Sequence, residues 1–274
     1  MTTPRVTVIG AGPAGLTAAL ELSDGGAEVE VLERGTAPGR QACGWFAGGM
    51  LGPWYERADS DPRVLEWGLQ ALEWWPRHFS GTVLAGTLVL AQPRDRAELD
   101  RFATRTTGYR WLDADAITAL EPDLADRFRR ALFFPQEGHL DPRLALPALV
   151  DELTARGVAV RFGVNVDAGV AATAERLLLD CRGPCARDRL PRLRCVRGEM
   201  ARVHTTDVHF RRPVRMLHPR HPVYVIPRAD DTFMVGGTVI ESANAEPVTV
   251  RSAMELLSSA YAIHPAFAEA HVVE

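Results

Sequence analysis

Six residues near the N-terminus, Gly10-Ala11-Gly12-Pro13-Ala14-Gly15, constrain the fold of this chain more than any other feature. They stand between a predicted strand, Arg5 to Ile9, and an alanine- and leucine-rich predicted helix, Pro13 to Ser23. At such a junction the first glycine permits a tight turn, the second lets a pyrophosphate approach the backbone, and the third lets helix and strand pack closely. The free N–H groups at the helix start then hold the phosphate charge. A glycine turn that merely packs well has the same spacing, so the motif needs support from its surroundings.

That support comes from Glu33, at the end of a second predicted strand from Glu28 to Glu33. A carboxylate about 20 residues after the glycine motif is placed to accept hydrogen bonds from ribose hydroxyls, whereas a site specialised for NADP would favour a positive group. The strand–helix–strand order predicts a parallel sheet with helices packed on it. The complete pattern therefore predicts dinucleotide binding.

The segment after the second strand favours a flavin over a nicotinamide. Nicotinamide-binding domains continue through further strand–helix units, but here residues 35–52 are rich in glycine. Such a segment lets the backbone approach a large flat group, and Trp45 and Met50 are suited to cover an aromatic ring. The combination favours the flavin dinucleotide FAD. The alternative is a tightly packed loop that binds no ligand.

The rest of the chain alternates between helix-rich and strand-rich patterns. Helices are predicted after Asp61-Pro62 and Asp141-Pro142, whereas the part from about Met200 is rich in short strands. We predict an α/β chain in which a Rossmann-like FAD-binding domain is interleaved with an α+β, antiparallel-sheet substrate domain. The expected segments are 1–81 and 136–199 for the first domain, and 82–135 and 200–274 for the second. The tail that ends at Glu274 resembles the entry to a strand without its partner, so we expect a shortened chain.

The composition excludes some kinds of chemistry and of binding partner. All 31 basic residues are arginine and the net charge is −4. The absence of lysine excludes Schiff-base chemistry and a P-loop, and the charge favours neither nucleic acid nor an anionic membrane. No apolar run reaches the roughly 20 residues of a membrane span, and no secretion signal is recognisable at the N-terminus. We expect a cytoplasmic protein without a nucleic-acid partner; homo-oligomerisation stays open.

Cysteine and histidine spacing predicts no metal site. The four cysteines form no CxxC pair, and we expect reduced structural thiols at Cys43, Cys181, Cys185 and Cys195. His218 and His221 lack a carboxylate partner at ligand spacing and are expected to be structural or surface residues. A solvated loop is expected to carry the arginine run Arg187, Arg189, Arg192, Arg194 and Arg197.

Taken in order, these motifs resemble the D-amino-acid oxidase family of flavoproteins, and within it the glycine oxidases of thiamine-thiazole biosynthesis. The glycine motif is followed by Glu33-Arg34 and by Ala47-Gly48-Gly49-Met50-Leu51. Later blocks keep the family order: residues 136–143 (QEGHLDPR), 180–183 (DCRG), 197–200 (RGEM), 224–228 (YVIPR) and 235–238 (VGGT). Only the Ala-Gly-Gly-Met-Leu block is distinctive by itself, but the ordered set covers almost the whole chain.

The resemblance implies an extended FAD that is bound non-covalently, since no histidine for flavin attachment lies between residues 34 and 50. The pyrophosphate would lie on Gly10, Ala11, Gly12, Pro13, Ala14 and Gly15, and the ribose on Glu33 and Arg34. The residues expected toward the flavin are Arg40, Gln41, Ala42, Cys43, Gly48, Gly49 and Met50. Val164 would contact the adenine half through its backbone, and the strand end at Cys181, Arg182 and Gly183 would return to the cofactor.

The same resemblance implies oxidation of glycine or a similar small amine. In the family a neutral amine loses hydride to flavin N5, the imine hydrolyses to a keto acid and ammonia, and O₂ reoxidises the flavin to give hydrogen peroxide. Tyr224 matches a tyrosine that helps to hold the substrate carboxylate; a strand tyrosine facing the core is the alternative. Met50 and Val239 are further expected substrate contacts, and Val239 stands where related glycine oxidases can carry a methionine.

One departure from the family keeps alternatives open. The family arginine that clamps the substrate carboxylate follows after the point where this chain stops, and no arginine here matches it. The alternatives are a D-amino-acid or sarcosine dehydrogenase that uses another acceptor, and a shortened flavin-binding protein without activity. The absence of lysine favours the glycine and D-amino-acid oxidases over monomeric sarcosine oxidases, which use a lysine beside the flavin.

Overall fold

The computed structural model describes residues 3–166, 176–219 and 222–274. Its strands and α-helices, in chain order, are β1 (Arg5–Ile9), α1 (Pro13–Asp24), β2 (Glu28–Glu33), β3 (Met50–Leu51), α2 (Pro53–Glu56), α3 (Pro62–His78), β4 (Thr87–Ala91), α4 (Ala97–Ala103), β5 (Arg110–Asp113), α5 (Ala114–Leu120), β6 (Arg130–Phe134), β7 (Gly138–His139), α6 (Pro142–Ala155), β8 (Ala159–Phe162), β9 (Leu177–Asp180), β10 (Met200–His204), β11 (Val214–Leu217), β12 (Val223–Pro227), β13 (Thr232–Gly236), α7 (Val250–Ile263) and β14 (His271–Val272). They divide between two compact units.

The first unit comprises Met1–Ala47, His78–Gly81 and Asp141–Cys195. Within its described residues it contains a parallel sheet of order β8-β2-β1-β9. The inner strand β1 is buried from Val6 onward and, apart from Thr7, apolar there, as expected for a parallel strand covered by helices. Leu16 and Leu20 of α1 and Leu149 of α6 are fully buried in this unit. The predicted Rossmann-like parallel sheet is confirmed.

The second unit comprises Gly48–Arg77, Thr82–Leu140 and Val196–Glu274. Its main sheet, in the described part of the chain, has the order β14-β10-β13-β12-β11-β4-β6-β5. All neighbours are antiparallel except β11 and β4, which run parallel. One sheet face forms a core with Leu256, Ala260 and Ile263 of α7. The other forms a cluster around Tyr55 and Phe102, to which α2 and α4 contribute.

The segments of the two units differ from the predicted domain bounds at residues 48–77, 136–140 and 196–199, which group with the second unit. Strand pairing explains the first two: Met50 and Leu51 of β3 pair with His139 and Gly138 of β7. The assignment of FAD binding to one unit and substrate binding to the other stays a prediction.

The strand near the C-terminus has a partner, contrary to the sequence-based expectation. His271 and Val272 of β14 pair antiparallel with His204 and Val203 of β10. Sequence pattern missed this pairing because the two strands are far apart along the chain. Among the described helices, none combines the length and apolar character needed to cross a membrane.

Candidate cofactor and substrate sites

The glycine turn between β1 and α1 leaves no room for a side chain at Gly10 or Gly15. Gly10 has a φ of +101°, and a Cβ atom there would lie 2.6 Å from the carbonyl oxygen of Cys181. A Cβ atom on Gly15 would overlap the carbonyl oxygen of Gly10. Helix α1 begins at Pro13 with Gly12 as N-cap, without a side-chain cap and without an acidic residue in its first turn. The helix start is therefore open to an anion such as a pyrophosphate.

Glu33 joins the ends of β1 and β2 beside this turn. The side chain is buried, its Oε2 accepts a hydrogen bond from the Ala11 N–H at 2.8 Å, and its Oε1 accepts one from the Gly35 N–H at 2.7 Å. Each carboxylate oxygen keeps a second lone pair for a ribose hydroxyl. Glu33 lies at the carboxyl edge of a parallel sheet, where such folds bind nucleotides.

Two further predicted segments meet the same edge. The Val164 N–H donates to the Glu33 carbonyl at 2.9 Å, and the Cys181 N–H donates to the Ile9 carbonyl at 2.8 Å. The Arg182 guanidinium forms ion pairs with Asp180 and Asp188, and these contacts raise the pKa of Arg182. The next residue, Gly183, is exposed. The Arg182 side chain thus anchors the segment after β9.

The glycine-rich segment brings Ala42 to the turn. A Cβ atom on Gly12 would lie 3.3 Å from the Ala42 Cβ, and the N–H of Trp45 donates to the Ala42 carbonyl at 3.0 Å. A 3₁₀ turn spans Cys43–Phe46, in which Trp45 lies under the Arg40 guanidinium at 5.9 Å. The side chains of the remaining predicted contacts in this part, Arg34, Arg40, Gln41 and Cys43, are exposed. This part of the chain fits FAD, because its turn, helix start and buried carboxylate match a pyrophosphate and a ribose.

In the second unit, Tyr224 is surrounded by glycines. Cβ atoms on Gly48 and Gly236 would lie 3.0 and 2.8 Å from Cε2 of the Tyr224 ring. The Tyr224 hydroxyl lies 3.4 Å from Sδ of Met200. Burial raises the pKa of Tyr224, and the Glu56 charge raises it further, so the phenol keeps its proton.

Tyr224 does not face the large apolar core. Its strand neighbours Val223 and Val225 belong to the core that packs on α7, so alternation along β12 directs Tyr224 to the opposite sheet face. Gly48 is held nearby because the Arg228 guanidinium donates to its carbonyl oxygen. The structure thus brings together Gly48 and Tyr224, two of the residues expected from sequence.

Met50 and Val239 occupy different surroundings in this unit. Met50 is half-buried against the cluster that contains Tyr55, Leu132 and Phe134. Val239 is 81% exposed and lines an open groove of about 290 Å³ together with Thr238 and residues of α7. Gly49 precedes β3, and its carbonyl accepts from the Leu140 N–H at 2.9 Å. Substrate contact by Met50 or Val239 stays a prediction.

Arg215 is a partly buried cation, with its Nε inaccessible to solvent, that sequence reasoning missed. It lies on β11 directly opposite Tyr224 of β12. Its guanidinium carbon lies 3.6 Å from the centre of the Tyr55 ring, and burial lowers the pKa of Arg215 to about 9. The available signal was an arginine next to Val214 and Met216 in an otherwise apolar strand.

Two more buried titratable residues lie at β7: His139 is part of the strand, and Glu137 directly precedes it. Glu137 is fully buried; one carboxylate oxygen accepts from the Tyr55 N–H at 2.8 Å, and burial raises the pKa of Glu137 to about 8. Burial, followed by the charge of Arg228, lowers the pKa of His139 to about 4. Near neutral pH both side chains are therefore uncharged, which favours a structural role for the pair.

The remaining candidates do not form a ligand set. No group of three or more histidine, cysteine or acidic side chains in the described ranges could hold a metal ion; His221 lies outside those ranges. Four arginines of the predicted solvated run are exposed, but Arg197 is not free in solvent. Its side chain pairs with Glu199 and donates to the carbonyls of Asn244 and Pro247 at 3.1 and 2.9 Å, so that expectation was wrong for Arg197. The Arg197 side chain is held in place because these backbone carbonyls lie within hydrogen-bond distance of its guanidinium.

Comparison with known proteins agrees with the dinucleotide geometry. A family described as "DAO: FAD dependent oxidoreductase" matches residues 5–274. The Rhizobium etli protein named "Putative thiamine biosynthesis oxidoreductase ThiO" is 53% identical over 271 residues, which cover 98% of this chain and 82% of that protein. The crystal structure of glycine oxidase from Geobacillus kaustophilus is similar, with a TM-score of 0.76 and 20% identity over 100% of this chain and 81% of its own. The crystal structure of iminodiacetate oxidase from a Chelativorans species is also similar, with a TM-score of 0.76 and 22% identity. The match covers 98% of this chain and 81% of that one.

The solved structures show that the fold is shared, and the match to the family model shows that the chain belongs to the family. The match includes the glycine turn, Glu33 and the strands that carry Tyr224 and Arg215. With nearly the whole chain matched, this protein belongs to the DAO family and is an FAD-dependent oxidoreductase.

Proposed function

We propose that the protein oxidises glycine, or a similarly small amino acid or amine, in thiamine-thiazole biosynthesis. The observation that carries the proposal is the 53% identity, over 98% of the chain, to a protein named for thiamine biosynthesis. The fold shared with a glycine oxidase and an iminodiacetate oxidase supports a small amino-acid substrate.

The proposed reaction removes two electrons and two protons from the C–N unit of the substrate and forms an imine. Bound FAD supplies the two-electron acceptor. Water hydrolyses the imine to a 2-oxo acid and ammonia. With O₂ as the terminal acceptor, one glycine, one O₂ and one water give one glyoxylate, one ammonia and one hydrogen peroxide.

In this reaction the residues of the chain bind and orient the cofactor and the substrate. Gly10 to Gly15 and Glu33 hold the pyrophosphate and the ribose of a non-covalently bound FAD. The Tyr224 hydroxyl, which keeps its proton, donates a hydrogen bond to the substrate carboxylate. Catalysis in this scheme depends on positioning, because no acid–base residue is needed to move the electrons.

We infer further that O₂ is the acceptor and that the protein acts in the cytoplasm without nucleic acid. The net charge of −4 supports the absence of a nucleic-acid partner. Homo-oligomerisation is compatible with the proposal and is tested by the mass of the holoenzyme in solution.

The visible spectrum of the purified protein tests the function. We expect flavin absorption bands that bleach when glycine is added without oxygen. On admission of air the bands should return, and one hydrogen peroxide should form per flavin reduced. Bands that return with a quinone or a dye but not with air would indicate a dehydrogenase. Bands that persist with glycine, sarcosine and small D-amino acids would contradict the proposal.

A further inference from the structure

The segment that follows β9 forms one wall of the glycine turn in the first unit. Asp180, the last residue of β9, lies beside Ile9 of the parallel strand β1, so the chain leaves both strands at the same edge of the sheet. A Cβ atom on Gly10 would lie 2.6 Å from the Cys181 carbonyl oxygen and 3.3 Å from the Arg182 Cα. This backbone therefore lies directly against the turn on which we place the FAD pyrophosphate.

The Arg182 side chain, which is 15% exposed, holds this wall in place. Its Nε and Nη2 donate to Oδ1 and Oδ2 of Asp180 at 2.9 and 2.7 Å. Its Nη1 and Nη2 donate to Oδ2 and Oδ1 of Asp188 at 3.0 and 2.9 Å. Asp180 precedes the 3₁₀ turn Gly183–Asp188, and Asp188 is the last residue of that turn. One guanidinium thus ties together both ends of the segment through two bidentate contacts, which are strong and geometrically specific.

These ion pairs also compensate negative charge at the edge of the sheet. Hydrogen bonds from Arg182 lower the pKa of Asp180 and that of Asp188, so both carboxylates are ionised at neutral pH. Without the guanidinium, two uncompensated carboxylates would remain in the segment beside the glycine turn. A pyrophosphate is itself an anion, and like charges repel each other. The cation at Arg182 therefore lowers the electrostatic cost of placing a pyrophosphate here.

We propose that Arg182 is a positioning residue for FAD, which fixes the segment after β9 against the glycine turn and compensates two carboxylates that would otherwise repel the pyrophosphate. The inference rests on the proposed placement of the pyrophosphate on this turn. It requires no contact between the Arg182 side chain and the cofactor. Because it concerns the binding of FAD and not of substrate, it does not depend on which amine is oxidised.

Arg156 provides a matched control in the same unit. Its guanidinium also bridges two carboxylates, because Nη1 donates to Asp24 and Nη2 donates to Oε1 of Glu152 at 2.6 Å. Asp24 is the last residue of α1, whereas the glycine turn precedes the first residue of this helix. Replacement of Arg156 thus removes a similar pair of contacts at the far end of α1 from the turn.

The test measures the dissociation constant of FAD from the change in flavin fluorescence when the holoprotein is diluted. We expect Arg182→Met to raise this constant roughly tenfold or more, which corresponds to about 1.4 kcal/mol. Arg156→Met should bind FAD as the wild type does. Arg182→Lys should give an intermediate constant, because it keeps the charge but not the planar fork. If Arg182→Met does not fold, Arg182→Lys carries the test, and wild-type affinity in that variant would overturn the inference.

Salt and a second substitution distinguish this role from a general loss of stability. Added salt should bring the affinity of Arg182→Met closer to that of the wild type, because it screens the repulsion between the carboxylates and the pyrophosphate. Asp188→Asn, introduced into Arg182→Met, should also recover part of the affinity, because it removes one of the two uncompensated charges. Neither change restores the hydrogen bonds of Arg182, so an arginine that only stabilises the fold predicts no recovery.

The inference is overturned if Arg182→Met retains the affinity of the wild type for FAD, or if Arg156→Met loses as much affinity as Arg182→Met. It is overturned as well if neither salt nor Asp188→Asn recovers any affinity. Failure of the proposed function has a different signature: FAD affinity depends on Arg182, but glycine does not bleach the flavin of the wild type. An incorrect placement of the pyrophosphate would appear with Arg182 intact, as normal FAD binding in Gly15→Ala.

Discussion

At the residue scale, the Tyr224 ring fits its position because two of its neighbours are glycines, which have no side chain. Gly48 and Gly236 flank its ring so closely that a Cβ atom on either would meet Cε2 within 3.0 Å. The sequence marks both glycines, in the Gly-Gly-Met-Leu block and in the Val-Gly-Gly-Thr block, but these blocks are 188 positions apart. Folding brings both glycines next to the same ring atom of Tyr224.

Replacement of Tyr224 by Phe should weaken glycine binding while the fold is kept. The ring that packs against the two glycines remains, and only the hydroxyl is lost. A hydrogen bond to a charged group contributes about 1.5–3 kcal/mol, so we expect the KM for glycine to rise roughly tenfold or more. Steady-state peroxide formation measures this change. The matched control is Tyr261→Phe on α7, where the side chain is 53% exposed and the KM should not move. An unchanged KM in Tyr224→Phe would remove the hydroxyl from carboxylate binding.

Glu137 should make stability depend on pH. Burial raises its pKa from the ordinary 4.5 to about 8 in the folded protein. Between these values the folded chain holds a proton that the unfolded chain has released, so stability is lost as the pH rises from about 4.5 to about 8. Glu137→Gln keeps an acceptor for the Tyr55 N–H but cannot ionise. Its stability relative to the wild type should therefore increase with pH, by up to about 1.4 kcal/mol per pH unit.

Urea unfolding at pH 5, 7 and 9 measures this difference. The exposed Glu66 provides the control, because Glu66→Gln should leave the difference from wild type constant with pH. A difference between Glu137→Gln and wild type that is also constant would show that Glu137 titrates normally in the folded protein.

At the element scale, the β1–α1 turn shows how far a local motif specifies geometry. The three glycines predicted the turn, and the structure confirms that β1 ends at Ile9 and α1 begins at Pro13. This prediction succeeds because a strand, a turn of three residues and a helix involve only neighbouring parts of the chain. The contact between Gly10 and Cys181 joins positions 171 residues apart, and it follows from the placement of β9 beside β1.

A methyl group at Gly15 should abolish FAD binding. The Cβ atom would overlap the Gly10 carbonyl and push α1 away from the turn that we propose binds the pyrophosphate. We expect Gly15→Ala to be purified without flavin absorption and to lose about 1–3 kcal/mol of unfolding free energy through overpacking.

The control lies at the other end of the same helix. Gly25 has a φ of −73°, and its Cβ atom would lie 3.4 Å from the nearest carbonyl oxygens, so Gly25→Ala should retain FAD. Normal flavin content in Gly15→Ala, measured by absorbance after gel filtration, would contradict the assigned role of the turn.

At the scale of the whole molecule, each unit is assembled from three separate stretches of the chain. The second unit is built around a sheet whose neighbours β11 and β4 are separated by more than 120 residues in sequence. Loop closure over such distances is entropically unfavourable, so the core on both sheet faces must compensate. A cofactor that binds only the folded chain should add to this stability.

FAD should therefore stabilise the protein reversibly. Acid precipitation should release all flavin into the supernatant, because the attachment is non-covalent. Readdition of FAD at about 100 times its Kd should stabilise the folded protein by about 2.7 kcal/mol, which calorimetry detects as a higher melting temperature. Riboflavin, which lacks the pyrophosphate and the adenosine half, is the control and should give a smaller shift. Flavin that stays with the precipitate would show a covalent bond instead.

Sequence alone determined the features of this protein that arise between neighbouring residues. Strand–turn–helix geometry, the carboxylate at Glu33 and the helix start at Asp141-Pro142 all follow from short-range sterics and hydrogen bonding, and the structure contains each of them. Arg215 carries no local signal beyond its charge. Its surroundings depend on the register of β11 with β12, on the Tyr55 ring and on the absence of a hydrogen-bond partner for its Nε among the described residues. These are properties of long-range packing, because burial and charge pairing are decided only when distant segments meet in the folded chain.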